Sequence, residues 1–229
     1  MIRKRIKQNK NEIFYRILLP LIFVIFKTIF WPKVVGKENI PKKGRAVLAI
    51  NHRNTLDPII VMTSTWRPIH FLTKDKLYGK GFAWLFWLMS CIYVKRNSHD
   101  GASLQEAIEC LKEDKLVGIF PEGTRNRTHD LILQDFKRGA VVMAQQTGAP
   151  IVPVAITGDF KPFSRNLMIR FGTPYAVPSD QTVEEANAVL HDRIEKMWYE
   201  NLKATNRTVE QEFASRKAYK KALEEEKEG

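Results

Sequence analysis

Six short apolar runs punctuate the chain: Ala46–Ile50, Ile69–Thr73, Cys91–Val94, Leu116–Phe120, Ile151–Ile156 and Leu167–Phe171. Each is four to six residues long and bounded by turn formers or charges. That is too short for a helix and suits strands buried on both faces. Stretches of helical character fall between them, near Pro58–Thr65, Lys80–Met89, Gly101–Glu113 and Lys137–Thr147. Farther on, Val183, Ala186, Val189, Leu190, Ile194, Met197 and Trp198 repeat with helical spacing. Strands alternating with helices restrict the chain to an α/β fold, with a mostly parallel or mixed central sheet flanked by helices. With 229 residues, 44% of them hydrophobic, the chain can bury one large core. That core domain is expected over residues 32–204.

The first 31 residues have a different character. Arg3, Lys4, Arg5, Lys7 and Lys10 lead into an apolar segment from Ile13 to Trp31. Its uninterrupted run is only Ile17–Phe26, between Arg16 and Lys27 and with Pro20 inside. A membrane span needs about 20 largely uncharged residues, and a secretory signal needs small residues at a cleavage site, where Thr28–Trp31 are bulky. Residues 1–31 therefore read as a helical segment docked in the membrane interface. A helix covering the core is the alternative.

The formal net charge is +12, from 37 basic and 25 acidic residues. Such an excess suits an anionic membrane surface, phosphorylated substrates or nucleic acid. No zinc-finger, helix-turn-helix or RNP-like signature is present, so nucleic acid is not an expected partner. Cys91 and Cys110 have no CxxC or histidine-rich spacing around them, which fits a reduced, cytosolic setting without a disulfide framework or metal site. Residues 205–229 form a charged tail without a clear apolar stripe. Thr208 and Gln211 have the spacing of a capping box for a last helix, but the composition does not require order there.

Residues with chemical potential cluster after the apolar runs. His52 stands just past Ala46–Ile50, Arg96 past Cys91–Val94, and Glu122 past Leu116–Phe120. Ligands in open α/β sheets gather beyond the carboxyl ends of strands. Histidine is the natural general base near neutral pH, and a carboxylate on its other nitrogen fixes the tautomer and supports the imidazolium. Asp57 can serve if the chain turns into a helix after His52, and Pro58 suits the first turn of such a helix. Taken singly, His52 is equally a structural histidine and Asp57 a helix cap. Gly123, Thr124 and Arg125 offer close backbone approach, a hydroxyl donor and a planar fork, the parts of an anion-binding turn. Arg127, Lys137 and Arg138 add basic charge nearby, and Arg96 is a further phosphate contact. An ordinary strand-to-loop turn is the alternative.

These residues carry a resemblance. Asn51-His52 through Asp57 resembles the NHxxxxD box of the glycerolipid acyltransferases, and Phe120–Arg125 resembles their FPEGTR box. The interval of 70 residues between His52 and Glu122 is similar to the family's usual spacing. Tyr93-Val94-Lys95-Arg96 looks like the box whose arginine helps bind the acceptor phosphate. Ile151-Val152-Pro153-Val154 looks like the proline-containing box, and Phe136–Ala140 resembles the segment between them. Asn54 stands where many members have serine, and Lys95 where many have aspartate. The likeness spans residues 30 to 180 or so, and is nearest to the bacterial 1-acyl-sn-glycerol-3-phosphate acyltransferases, which make phosphatidic acid in phospholipid biosynthesis.

The resemblance implies a fatty acyl group passed from a thioester to the sn-2 hydroxyl of lysophosphatidic acid. Acyl-CoA or acyl carrier protein would be co-substrate, with no cofactor and no metal. His52 would be the general base, oriented by Asp57. Arg96, Gly123, Thr124 and Arg125 would hold the acceptor phosphate, and Glu122 would shape the site. Such a protein would sit at the cell membrane, peripheral or monotopic, on the cytoplasmic face. Direct transfer is expected, since no nucleophilic serine or cysteine is required. The rival readings are an acyltransferase for another lysophospholipid and a non-catalytic protein that binds anionic membrane. The second of these gives His52, Asp57 and the glycine turn no role.

Overall fold

The computed structural model describes residues 13–74, 92–94, 101–126 and 131–216. The helix expected near Lys80–Met89, together with Arg96 and Arg127, lies outside the described residues. The described residues begin with α1 (Ile13–Phe30) and β1 (Lys33–Val35). Next come β2 (Ala46–Ile50), α2 (Asp57–Met62), β3 (Ile69–Lys74), β4 (Ile92–Val94), α3 (Ala102–Lys112) and β5 (Leu116–Ile119). The chain continues through α4 (Gly139–Thr147), β6 (Ile151–Thr157), β7 (Met168–Phe171) and α5 (Val183–Ala204). A last helical segment, α6, covers residues 209–216.

Among the described residues, one sheet of seven strands runs in the order β1-β7-β6-β2-β5-β3-β4. All neighbours are parallel except β6 and β7, so the sheet is mixed. Parallel neighbours need crossovers, whereas the antiparallel β6–β7 step is made by a loop without one. β1 has no pattern of its own to betray it. It is three residues at the sheet edge, with Val34 in register with Ile169 of β7.

β2 lies between β6 and β5, where Ala49 is in register with Pro153 on one side and Ile119 on the other. All five of its residues are buried, and alternate side chains enter different cores. Val47 and Ala49 join Ile108 and Leu111 of α3, Val141 of α4, and Leu190 and Trp198 of α5. Ala46, Leu48 and Ile50 join Tyr15 and Leu19 of α1 and Ile60 and Val61 of α2. The architecture is thus three layers, helix on sheet on helix. α5 buries Ala186, Leu190, Ile194, Met197, Trp198 and Leu202, and a full capping box between Thr182 and Glu185 starts it.

α1 has one face packed on the core and another left exposed. Tyr15, Leu19 and Phe30 are buried in the core, while Ile13, Ile17, Leu21 and Val24 form an exposed apolar stripe. Among the described residues, no helix is long and apolar enough to cross a membrane.

Gly118, in the middle of β5, is required by packing. A Cβ there meets the ring of fully buried Phe71 at 2.5 to 2.8 Å. Gly118→Val is expected to lower stability by about 1–3 kcal/mol through overpacking. Urea unfolding checks this, the midpoint falling while the m-value stays constant.

Candidate active site

The parallel strands β2, β5 and β6 deliver their carboxyl ends to one edge of the sheet, and the site is built there. Where β2 stops, Asn51 continues its pairing with a side chain. Its Oδ1 accepts from the Ile156 N–H at 2.7 Å, and its Nδ2 donates to the Ile156 carbonyl at 3.0 Å. The backbone is then free to turn. The His52 N–H donates to Glu122 Oε1 at 2.7 Å, and the His52 carbonyl accepts from the Asn126 N–H at 2.7 Å. The loops after β2 and β5 are therefore tied on both sides of the histidine.

Asp57 opens α2 and is fully buried. Its Oδ2 accepts from the Arg53 N–H at 2.7 Å and the Asn54 N–H at 2.7 Å, and faces His52 Nδ1 at 2.9 Å. Asn54 Oδ1 in turn accepts from the Leu56 N–H at 3.0 Å, tightening the same turn. A carboxylate only accepts, so the proton of a neutral His52 resides on Nδ1 and the Nε2 lone pair stays available. The imidazole is held flat against Phe120, with centroids 4.0 Å apart and planes at 25°, and Phe120 stacks on Phe71 at 5.6 Å. The His52 side chain is still 18% exposed, enough for its outer edge to be reached.

The second loop begins with Glu122, buried, with a backbone N–H on each of its oxygens. Its Oε2 takes the Gln134 N–H at 3.0 Å while Oε1 holds His52. Burial pushes its pKa up to about 7, against the lowering effect of those two N–H groups and of Arg216. The turn closes through the Gly123 N–H to the Phe120 carbonyl at 2.9 Å. Gly123 has φ +67°, and a Cβ there overlaps the Lys137 side chain at 2.7 to 2.9 Å. Lys137 therefore lies directly over this turn. Arg125 Nη1 donates to Thr55 Oγ1 at 2.6 Å, joining the two loops at the surface, and Thr124 is exposed.

The structure thus brings His52, Asp57, Glu122, Gly123, Thr124 and Arg125 to one edge of the sheet. Arg96 lies outside the described residues, two positions beyond the end of β4. Among the described residues, no group of three or more His, Cys, Asp and Glu side chains gathers to hold a metal ion. Sequence reasoning missed Asn51 and Asn126 as braces of the His52 backbone. It also missed Arg53, Glu212 and Arg216, which meet behind the loops. One sign of that last group was legible: the Thr208–Gln211 capping box is formed, with the Thr208 N–H to Gln211 Oε1 at 3.0 Å and the Gln211 N–H to Thr208 Oγ1 at 3.3 Å. It starts the helix that carries Glu212 and Arg216.

Residues 32–157 match the family model described as Acyltransferase. The chain belongs to this acyltransferase family. It is similar to a 1-acyl-sn-glycerol-3-phosphate acyltransferase of Borreliella burgdorferi, with 32% identity over 71% of this chain and 70% of that protein. A protein of the same name from Bacillus subtilis is also 32% identical, over 72% of this chain and 87% of its own length. The fold is that of the crystal structure of the 1-acyl-sn-glycerophosphate (LPA) acyltransferase from Thermotoga maritima. That similarity has a TM-score of 0.61 at 21% identity, covering 82% of this chain and 97% of the other.

The buried Glu122 gives this acyltransferase a pH signature. Its pKa is raised from 4.5 to about 7 on folding, so the folded state keeps the proton to higher pH than the unfolded chain does. Its contribution to stability is complete below about 4.5 and is lost as pH rises through about 7, a change on the order of 3 kcal/mol. Glu122→Gln has no such titration. Urea unfolding between pH 4.5 and 8 is expected to show stability moving in favour of the variant, relative to the parent, as pH rises. A difference independent of pH would contradict the assignment.

Proposed function

We propose that the protein acylates the sn-2 hydroxyl of 1-acyl-sn-glycerol-3-phosphate from an acyl thioester, giving phosphatidic acid, with His52 as general base. The observation that carries this reading is the His52–Asp57 pair at 2.9 Å, its imidazole partly exposed beside the Glu122–Arg125 turn. The names of the Borreliella and Bacillus relatives support the choice of acceptor. Nε2 takes the hydroxyl proton as the oxygen attacks the thioester carbonyl, and a C–O bond forms. Asp57 stabilises the resulting imidazolium. Collapse of the tetrahedral oxyanion breaks the C–S bond, and the imidazolium returns its proton to the departing thiolate. Gly123, Thr124 and Arg125, with Arg96 and the overlying Lys137, hold the acceptor phosphate. Glu122 shapes the turn, because both its oxygens are engaged by backbone N–H groups.

Product analysis with a panel of lysolipids, offered acyl-CoA and acyl-acyl carrier protein in parallel, tests the acceptor and identifies the donor. His52→Ala is expected to lower kcat by about 10²–10⁴-fold, the usual worth of a general base. Arg125→Ala is expected chiefly to raise the KM for the acceptor. Near-full activity of purified His52→Ala protein would remove the mechanism, and turnover confined to another lysolipid would remove the acceptor.

The membrane face belongs to the same proposal. Ile13, Ile17, Leu21 and Val24 share one face of α1 at spacings of four, four and three, and are exposed with Trp31, Trp66 and Phe163 around them. Trp66 touches Phe23 of α1, with centroids 5.8 Å apart, and the Phe163 N–H donates to the Ile29 carbonyl at 2.7 Å. Lys27 and Arg165 lie near the Trp31 ring, at 5.8 and 5.4 Å from its centroid. An apolar face edged by basic groups suits an anionic lipid surface. Ile17→Asp with Leu21→Asp is expected to weaken cosedimentation with phosphatidylglycerol vesicles by about tenfold or more, given the apolar area withdrawn from lipid. Unchanged binding would dismiss this face.

A further inference from the structure

Behind the two active-site loops lies a buried ionic cluster that acyl transfer does not itself call for. Its acidic centre is Glu212 on α6, fully buried. Glu212 Oε1 pairs with Arg53 Nη1 at 2.5 Å, and Oε2 with Arg207 Nη1 at 3.4 Å. Both oxygens face the Gly158 N–H just past β6, at 3.3 and 3.1 Å. Arg53 is held from a second side, its Nη1 donating to the Gly158 carbonyl at 2.9 Å. Arg53 is next in sequence to His52, and its own backbone N–H is one of the donors on Asp57 Oδ2. The carboxylate on α6 is therefore one side chain away from the group that orients the base.

One turn farther along the same helix, buried Arg216 reaches the other loop. Its Nη1 donates to the Leu131 carbonyl at 2.8 Å and its Nη2 to the Ile132 carbonyl at 3.4 Å. Asn126 Nδ2 donates to the same two carbonyls, at 3.1 and 3.2 Å, while its backbone N–H holds the His52 carbonyl. Gln134, two residues beyond Ile132, supplies the N–H on Glu122 Oε2. The Arg216 guanidinium also lies over the Trp198 and Phe213 rings, at 5.8 and 5.1 Å, which fixes its place on the helix side.

We propose that Glu212 and Arg216 are positioning residues for acyl transfer. Glu212 sets the His52–Asp57 loop through Arg53, and Arg216 sets the Glu122 turn through the Leu131–Ile132 backbone. The inference rests on the proposed role of His52 as base. Neither residue touches substrate, so loosening them degrades the geometry of the reacting groups without removing a ligand for the phosphate. Misplacement of reacting groups by an ångström can cost about 100-fold in rate.

The full chain is assayed with lysophosphatidic acid, and with acyl-CoA and acyl-acyl carrier protein as donors. Glu212→Gln and Arg216→Met are each expected to lower kcat by about 10- to 100-fold while the KM for lysophosphatidic acid stays within about threefold of the parent value. Melting curves establish that each variant is folded at the assay temperature. Glu212→Gln leaves Arg53 buried without its counter-charge, so Arg53→Met added to it should lose no further activity, and the two losses should be strongly non-additive. Arg216→Lys, which keeps the charge and one donor toward the carbonyls, should recover part of the loss. Where Glu212→Gln fails to fold, the Arg53→Met/Glu212→Gln pair and Arg216→Lys carry the test, since neither strands a buried charge. Folded variants with parental kcat, or losses that simply multiply, would overturn the proposal. His52→Ala serves as reference. If it is inactive while Glu212→Gln turns over normally, only this inference fails; if it is active, the general-base reading itself fails.

Discussion

The convergence of three N–H groups on one oxygen of Asp57 is the constraint from which the site follows. Oδ2 faces His52 Nδ1 and accepts from the backbone of Arg53 and Asn54. A buried carboxylate is costly unless its acceptor capacity is met, and here a single short loop meets it at Oδ2 alone, while Oδ1 is buried without a hydrogen-bond partner among the described residues. The path from β2 into α2 therefore has little freedom: it must curl so that successive amides point at the same atom. That curl also sets the histidine ring, and Phe120 then fixes the ring plane. By these bonds a strand end presents a histidine with a defined tautomer.

Only a strand held on both sides could present such a loop so firmly. β2 is buried on both faces and paired on both edges, and the amide of Asn51 extends the β6 pairing past the last strand residue. The backbone N–H of His52 is thereby released to Glu122 instead of to a neighbouring strand. Glu122 performs this tie at a cost, since burial raises its pKa to about 7. The same loop favours glycine at position 123, because φ there is +67°, a conformation that strains any other side chain.

Much of this was legible in the chain because the informative residues are contiguous. The apolar runs are short and bounded by turn residues, so alternation gave the α/β class, and the two boxes after β2 and β5 put the base and the turn on one sheet edge. β1 was not legible: Lys33–Val35 is only three residues and becomes a strand through its pairing with β7. α1 resisted a single reading because its sequence is apolar on more than one face. Core packing claims Tyr15 and Leu19, and an exposed stripe is left over. Least legible was α6. A charged segment reads as solvated surface, and nothing local says that Glu212 will meet Arg53 or that Arg216 will reach Ile132. Such partners are defined by tertiary proximity alone.

The energetics of that buried cluster argue for geometry over stability. Glu122 and Arg216 attract each other, yet burial shifts both toward their neutral forms. Glu122 rises to about 7, and Arg216, with Arg53 also opposing its charge, falls to about 9. Desolvation thus outweighs mutual attraction, and a well-packed apolar replacement could stabilise such a site as well or better. What apolar side chains cannot do is aim. Arg53 joins Glu212 to the Gly158 carbonyl, and Arg216 grips two successive carbonyls of the loop that holds Glu122. The cluster carries little net charge, with three guanidinium groups, Arg53, Arg207 and Arg216, set among four carboxyl groups, Asp57, Glu122, Asp159 and Glu212, of which burial pushes Glu122 toward its neutral form. The net charge of +12 is therefore carried by the rest of the chain.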